Sequence, residues 1–203
     1  LLRAAAYAIV DDASGERARM HGVVAGALEA VVPAGSHAIA ASLARHHKLA
    51  GKSDEARALL AIAARRSAMF DDRQGTAQLA REGLELCGDD ARAQFPFHAE
   101  IEAMRAADVR GGRAHREALK ALVKAADLSH DPVLHARAML RVARFDLLTG
   151  DASLGEDAAV NAVADLTTPS DAADDAPTHA PTHARLLAQA WRLVALARMQ
   201  RGD

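Results

Sequence analysis

Residues 40–51 read AASLARHHKLAG, and their spacing of apolar, small and glycine residues returns in 139–150, MLRVARFDLLTG, and in 191–202, WRLVALARMQRG. On a helix, the apolar residue and its small neighbour lie on one face, where alanine lets a second helix approach closely. The closing glycine supplies a left-handed turn that reverses the chain. We call these positions the repeat register: Ala40, Leu43, Ala44, His47 and Gly51; Met139, Val142, Ala143, Asp146 and Gly150; Trp191, Val194, Ala195, Arg198 and Gly202.

After Gly51, Ala56, Leu60 and Ala63 recur at helical spacing, so the returning helix has an equally narrow packing face. This order of residues is that of the tetratricopeptide pattern, a helix–turn–helix repeat of 34 residues. We therefore expect an all-α, tetratricopeptide-like α-solenoid of antiparallel helix pairs, with about ten helices. An irregular helical bundle is the alternative, because the middle of the chain fits the pattern less well.

The composition supports helices and excludes several classes of protein. Among the 203 residues, half are apolar but only 3% are aromatic, and about a quarter are alanine, which disfavours β-sandwiches and barrels. A net charge of −2 argues against a general binder of nucleic acid or membrane surfaces. Cys87 is the only cysteine, so no intrachain disulfide forms and a reducing, cytoplasmic location is expected. No apolar run is long enough to span a bilayer.

Turn residues divide the chain into ten predicted helices. Acidic pairs at 11–12, 71–72 and 89–90 are expected to cap helix ends, and Pro96 to mark a helix start or a kink. The segment 167–182, rich in Pro, Asp and Ala, is expected to be a mobile loop. The predicted helices cover 1–10, 15–31, 36–50, 53–70, 73–87, 91–110, 113–128, 132–149, 153–166 and 183–201.

Two segments follow from this division. We expect residues 1–35 to be a helical junction after a missing upstream domain, and residues 36–203 to form the helical repeats. The third copy of the register has a first helix and a turn but no returning helix, which predicts a chain cut from a longer array.

The first ninety residues contain an ordered series of short motifs. They are Leu2-Arg3-x-Ala5-Ala6-Tyr7, Arg17-x3-His21, Ala25, Leu28, Leu43-Ala44-x-His46-His47-x2-Ala50-Gly51, Ala56 and Ala63-Ala64. This series resembles a bacterial family, the signal-transduction ATPases with numerous domains. The resemblance implies a junction between an AAA-like ATPase core and a tetratricopeptide arm, within a transcription activator, adenylate cyclase or Ser/Thr kinase. It also implies that the arm senses an inducer or holds a partner.

Cationic residues recur at the register positions that line the concave groove of a tetratricopeptide superhelix. Interleaved with leucines and a methionine, they favour an acidic, amphipathic protein segment as partner, since arginine binds carboxylates in bidentate fashion. A solvated charged face is the alternative. The predicted partner-binding residues are Arg45, Lys48, Arg137, Arg144 and Arg192, and their neighbours on the same face are Ala41, Leu49, Leu140, Leu147, Gln189, Leu196 and Met199.

The remaining candidate sites favour structural roles. The adjacent His46 and His47 are expected to pack and to form hydrogen bonds between helices, and Pro181 separates His179 from His183, so we expect no metal site there. Cys87 is expected to be a small buried hydrophobe. A second basic stripe is expected to be an exposed helix face: Arg113, Arg116, Lys120 and Lys124.

The sequence contains no phosphate-binding loop of the Gly-x4-Gly-Lys-Ser/Thr type. It therefore predicts a non-enzymatic helical-repeat arm without cofactor or metal, which binds a protein segment inside a larger bacterial regulator. Two alternatives stay open: a small-molecule sensor that binds an inducer in the superhelix groove, and an enzyme with a metal–carboxylate site in a helical bundle.

Overall fold

A computed structural model describes residues 15–31, 39–107, 112–168 and 180–202. This part of the chain contains helices and no strands, and the helices follow one another through short turns. They are α1 Glu16–Val31, α2 Ala40–Leu49, α3 Ser53–Met69, α4 Arg73–Cys87, α5 Ala91–Ala106, α6 Gly112–Ser129, α7 Pro132–Thr149, α8 Ala152–Thr167 and α9 Ala180–Arg201. The all-α prediction is confirmed.

The predicted helix boundaries agree closely with the structure, with one correction. The helix expected at 1–10 lies outside the described residues, as does the start at Ser36. The prediction of a loop through residue 182 is wrong at its end, because α9 begins at Ala180. Pro181 therefore does not exclude a helix: in a first turn, proline removes an N–H that has no intrahelical partner. Pro96 lies inside a continuous α5.

Short-range side-chain contacts begin the helices, as the acidic pairs predict. Asp72 accepts a hydrogen bond from the Gly75 backbone N–H at 2.9 Å, and Asp90 accepts one from Ala93 at 3.0 Å. The hydrogen bond from the Gly75 N–H, together with one from the Ser67 hydroxyl, lowers the pKa of Asp72. The pair 11–12 lies outside the described residues.

The turns after α2 and α7 have the same geometry. Gly51 and Gly150 adopt φ values of 77° and 89°, a left-handed conformation that favours glycine. In each turn, the next residue donates its backbone N–H to the carbonyl of the fourth register residue: Lys52 to His47 at 2.9 Å, and Asp151 to Asp146 at 2.8 Å. This six-to-one bond defines a Schellman motif, so the two turns predicted from spacing are the same local structure.

Each helix packs mainly on its neighbours in the chain, which is the arrangement of an α-solenoid. The contacts within the described residues pair α1 with α2, α2 with α3, α3 with α4, α6 with α7, α7 with α8 and with α9, and α8 with α9. By these contacts the chain divides into two compact units, and the division falls at Pro96 inside α5. Of the described residues, unit one contains 15–31, 39–89 and 96–107, and unit two contains 90–95, 112–168 and 180–202.

Alanine dominates both cores, as the composition suggests. In unit one, Ala44, Ala56 and Ala64 are at most 1% exposed, and the larger Leu60 and Phe97 are 2% and 1% exposed. Unit two has a continuous core on α7, α8 and α9 in which small residues again alternate with leucine and valine: Ala136, Leu140, Ala143, Leu147, Ala158, Ala159, Ala162, Leu166, Ala190, Leu193, Val194 and Ala197. None of the described helices is both long and apolar enough to cross a membrane.

Candidate functional site

Three of the predicted partner-binding residues lie on unit two. Arg137 and Arg144 are exposed on α7, and Arg192 is exposed on α9, which contacts α7. Arg144 borders the buried face of α7 that contains Ala143, and Arg192 lies on the face of α9 turned away from its buried residues. Within the described residues, none of the three arginines makes an ion pair. We call Arg137, Arg144 and Arg192 the arginine surface.

The apolar neighbours of these arginines are divided between the surface and the core. Leu196 and Met199 of α9 are 40% and 73% exposed, as a docking surface requires. The prediction is wrong for Leu140 and Leu147, which are 3% and 8% exposed and belong to the core of unit two. The reason is that α7 packs against both α8 and α9, so its buried face is wider than the register alone indicates.

The other two predicted residues, Arg45 and Lys48, lie on α2 in unit one. Both are exposed and line a cleft of about 370 Å³ together with Glu82 and Glu85 of α4. Lys48 Nζ lies 3.9 Å from Glu85 Oε2. The cationic charge of this surface is therefore partly balanced within unit one, in contrast to that of the arginine surface.

A second concave surface lies between α6 and α7 in unit two, with a volume of about 650 Å³. Arg116, Lys120 and Lys124 line it, so the stripe expected to be an exposed helix face is exposed and also forms one wall of a groove. Sequence reasoning missed the groove. The available signal was the alternation of these cations with Leu119 and Val123, which leaves apolar side chains between the charges.

A carboxylate on the opposite wall of this groove has an altered proton affinity. Asp146 of α7 is half-buried; its desolvation and the charge of nearby Asp151 raise its pKa, although Arg116 opposes the shift. At the other end of the groove, Asp127 lies 3.2 Å from Nε2 of His135, whose Nδ1 lies 2.6 Å from Asp165. One end of the groove therefore carries a partly uncompensated negative charge.

The fourth register residue is polar in all three copies and faces a charge on the preceding helix. His47 Nε2 lies 3.0 Å from Glu29 Oε1, and Arg198 Nε donates to Glu156 Oε1 at 2.8 Å. Asp146 is the fourth register residue of the second copy, and the charge of Arg116 on α6 acts to lower its pKa. The register thus places a polar contact between successive helices, where the tetratricopeptide pattern has an aromatic residue.

The histidines form contacts between helices. His46 Nδ1 lies 2.9 Å from Nδ1 of His21, and both this contact and that of His47 with Glu29 join α1 to α2, as predicted. His179 lies outside the described residues. Cys87 is buried in unit one. In the part of the chain that the structure describes, no three His, Cys, Asp or Glu side chains come together in a group that could hold a metal ion.

Comparison of the chain with protein-family models, with curated proteins and with solved structures gives no match. What the chain binds is therefore inferred from the geometry of the two unit-two surfaces.

Proposed function

We propose that this chain is a non-enzymatic interaction arm that binds an acidic, amphipathic segment of a protein on its arginine surface. The observation that carries the proposal is the combination of exposed arginines without ion pairs in the described residues and exposed apolar residues beside them. Exposed cations that form no ion pair with the described residues can bind carboxylates of another chain, and Leu196 and Met199 offer exposed apolar side chains on α9.

The helical-repeat architecture supports this proposal. Stacked helix pairs present the same positions of successive first helices on one extended surface, and such surfaces commonly bind peptide segments. Arg144 and Arg192 come from two first helices that contact each other, α7 and α9. An acidic segment that lies across both helices can therefore contact cations on each of them.

The family resemblance of the first ninety residues also indicates the kind of protein to which this arm would belong. We propose that the arm belongs to a larger, cytoplasmic bacterial regulator with an AAA-like ATPase core. Occupation of the arginine surface would change how the arm packs on another domain of that regulator, with a coupling free energy of about 1–3 kcal/mol. The coupling requires that the bound segment favours one arrangement of the arm over another.

The direct test is a selection of peptides from a displayed random library against the full 203-residue chain. We expect the selected peptides to be enriched in Asp and Glu alternating with large apolar residues. Their affinity should fall at least about tenfold for the variant Arg137→Glu/Arg144→Glu/Arg192→Glu, because each substitution places like charges opposite one another.

A matched control keeps the change in net charge constant. Arg65, Arg81 and Arg105 are exposed in unit one, and their replacement by glutamate changes the charge by the same amount. This control should bind the selected peptides as the native chain does. Selection of neutral or basic peptides, or equal losses of affinity in the two triple variants, would contradict the proposal.

A further inference from the structure

We propose that the groove between α6 and α7 is a second docking site, distinct from the arginine surface. Its occupant is an amphipathic helix of a partner protein that carries carboxylates four residues apart along one edge. The inference depends on the charges and the apolar floor of the groove and not on the proposed function of the arginine surface.

The first argument is the arrangement of the cationic wall. Arg116, Lys120 and Lys124 are four residues apart, so they form one row on α6 with about 6 Å between successive residues. A helix lying alongside repeats its own side chains at the same interval, so carboxylates at every fourth position match this row. Lys120 also contacts Glu117 at 3.1 Å, whereas no ion pair of Lys124 is found within the described residues.

The second argument is the floor of the groove, which is apolar and fixed in position. Leu119, Val123, Val142 and Phe145 line the groove between the charged walls. The Phe145 ring is held on two sides: the Arg116 guanidinium carbon lies 5.6 Å from its centroid, and the His115 ring packs edge-on at 4.7 Å. Leu119 and Phe145 are only 4% and 7% exposed, whereas the half-buried Val123 and Val142 can contact the apolar face of a partner helix.

The third argument is the opposite wall, which gives the occupant an orientation. Asp146 and Asp151 repel one another at the end of the groove near Arg116, whereas Asp127 at the other end lies 3.2 Å from Nε2 of His135. A cation on the second edge of the partner helix would relieve the repulsion between Asp146 and Asp151. The expected partner therefore has carboxylates along one edge and a lysine or arginine on the other.

The length of the groove favours a helix over a small molecule. Along α6 its lining runs from Arg116 to Asp127, twelve residues that span about 16 Å of helix. A groove of this length matches about three turns of a partner helix and exceeds what one compact metabolite can contact.

The test uses a labelled 18-residue synthetic helix with leucine on its apolar face, glutamate at every fourth position of one edge and lysine on the other. Fluorescence anisotropy measures its affinity for the full chain. We expect binding that weakens with added salt, and a loss of at least about tenfold when the glutamates are replaced by glutamines.

The variant Lys120→Glu/Lys124→Glu should also lose affinity at least about tenfold, since it reverses two exposed charges of the row. The control Arg65→Glu/Arg81→Glu changes the same number of exposed charges in unit one, outside both proposed binding surfaces, and should bind normally. Absence of binding to the native chain, equal binding of the glutamine peptide, or unchanged affinity of Lys120→Glu/Lys124→Glu would overturn the proposal. A native dimer that Lys120→Glu/Lys124→Glu dissociates in sedimentation would overturn it too, because a second copy would then occupy the groove.

Discussion

The helix pairs α2–α3 and α7–α8 share one sequence register and one turn geometry, but they fill their interfaces differently. In the first pair, the fifth residue after the glycine is Ala56, and the position after the fourth register residue is the exposed Lys48. In the second pair, Gly155 takes the place of Ala56, and the buried Leu147 takes the place of Lys48.

These two differences compensate for one another. A Cβ on Gly155 would lie 2.8 Å from Cγ of Leu147, so the leucine occupies the volume that an alanine side chain would need. The register therefore specifies where two helices approach closely. The two residues that meet there, such as Leu147 and Gly155, decide which helix contributes the side chain that fills the interface. This compensation also explains why Leu147, a predicted surface residue, belongs to the core.

The largest expected effect concerns the first pair, where Leu60 of α3 is 2% exposed. Leu60→Ala should lower the free energy of unfolding by about 2–5 kcal/mol, because it leaves a cavity lined by alanines that cannot fill it. Urea denaturation followed by circular dichroism measures the change. Leu148→Ala, at a site 76% exposed, is the control and should change stability by less than about 0.5 kcal/mol. Similar losses in both variants would refute this account of the first pair.

The next effect tests the compensation directly. Gly155→Ala gives the second pair the alanine that the first pair has at Ala56. It should lower the free energy of unfolding by about 1–3 kcal/mol, because the new Cβ overlaps Leu147 and lies 3.2 Å from the Ala143 carbonyl oxygen. Gly26→Ala in α1 has no atom within 4 Å of its added Cβ and should stabilise the chain by up to about 1 kcal/mol, the gain in helix propensity. If Gly155→Ala stabilises as well, the close approach at Gly155 is absent.

The polar register residues extend the comparison to a third copy. Glu156 is 8% exposed and contacts both Arg198 and Arg201, the latter at 2.6 Å. Glu156→Gln should cost about 1–2 kcal/mol, since it removes two charge-assisted contacts from a buried carboxylate. Glu117→Gln, which breaks the exposed pair with Lys120, should cost at most about 0.5 kcal/mol. If Glu156→Gln and Glu117→Gln lower the Tm equally, burial does not strengthen the contacts of Glu156.

The smallest expected effect concerns Asp146, whose pKa is raised from its ordinary value of 3.8. The folded chain holds this proton more tightly than the unfolded chain, so stability is lost as the pH rises through the titration of the carboxyl. Asp146→Asn should therefore raise the Tm at pH 7 by up to about 2 °C. The gain should shrink as the pH falls from the raised pKa of the folded chain toward 3.8, and it should vanish below 3.8, where the Asp146 carboxyl is neutral in the folded and the unfolded chain alike. A gain in Tm that grows as the pH falls would contradict a raised pKa for Asp146.

Local signals explain why the helices were predictable. Asp131 and Pro132 open α7 and Gly150 ends it, because capping and glycine turns depend on residues within one helical turn. The buried positions were predictable only where an alanine occupies a register position. The burial of Leu147 depends on Gly155 of another helix, and the groove beside Arg116 depends on Phe145 as its floor, so neither follows from one helix alone. At Pro181, a residue that usually interrupts a helix lies instead in a first turn.

Hydrogen exchange of the full chain, with and without a bound acidic peptide from the display selection, tests the central claim most directly. The account predicts slower exchange of backbone amides in 137–144 of α7 and in 189–199 of α9 when the peptide is bound, with α3, α4 and α6 unchanged. Slower exchange confined to α3, α4 or α6, with α7 and α9 unaffected, would contradict the assignment of the arginine surface as the binding site.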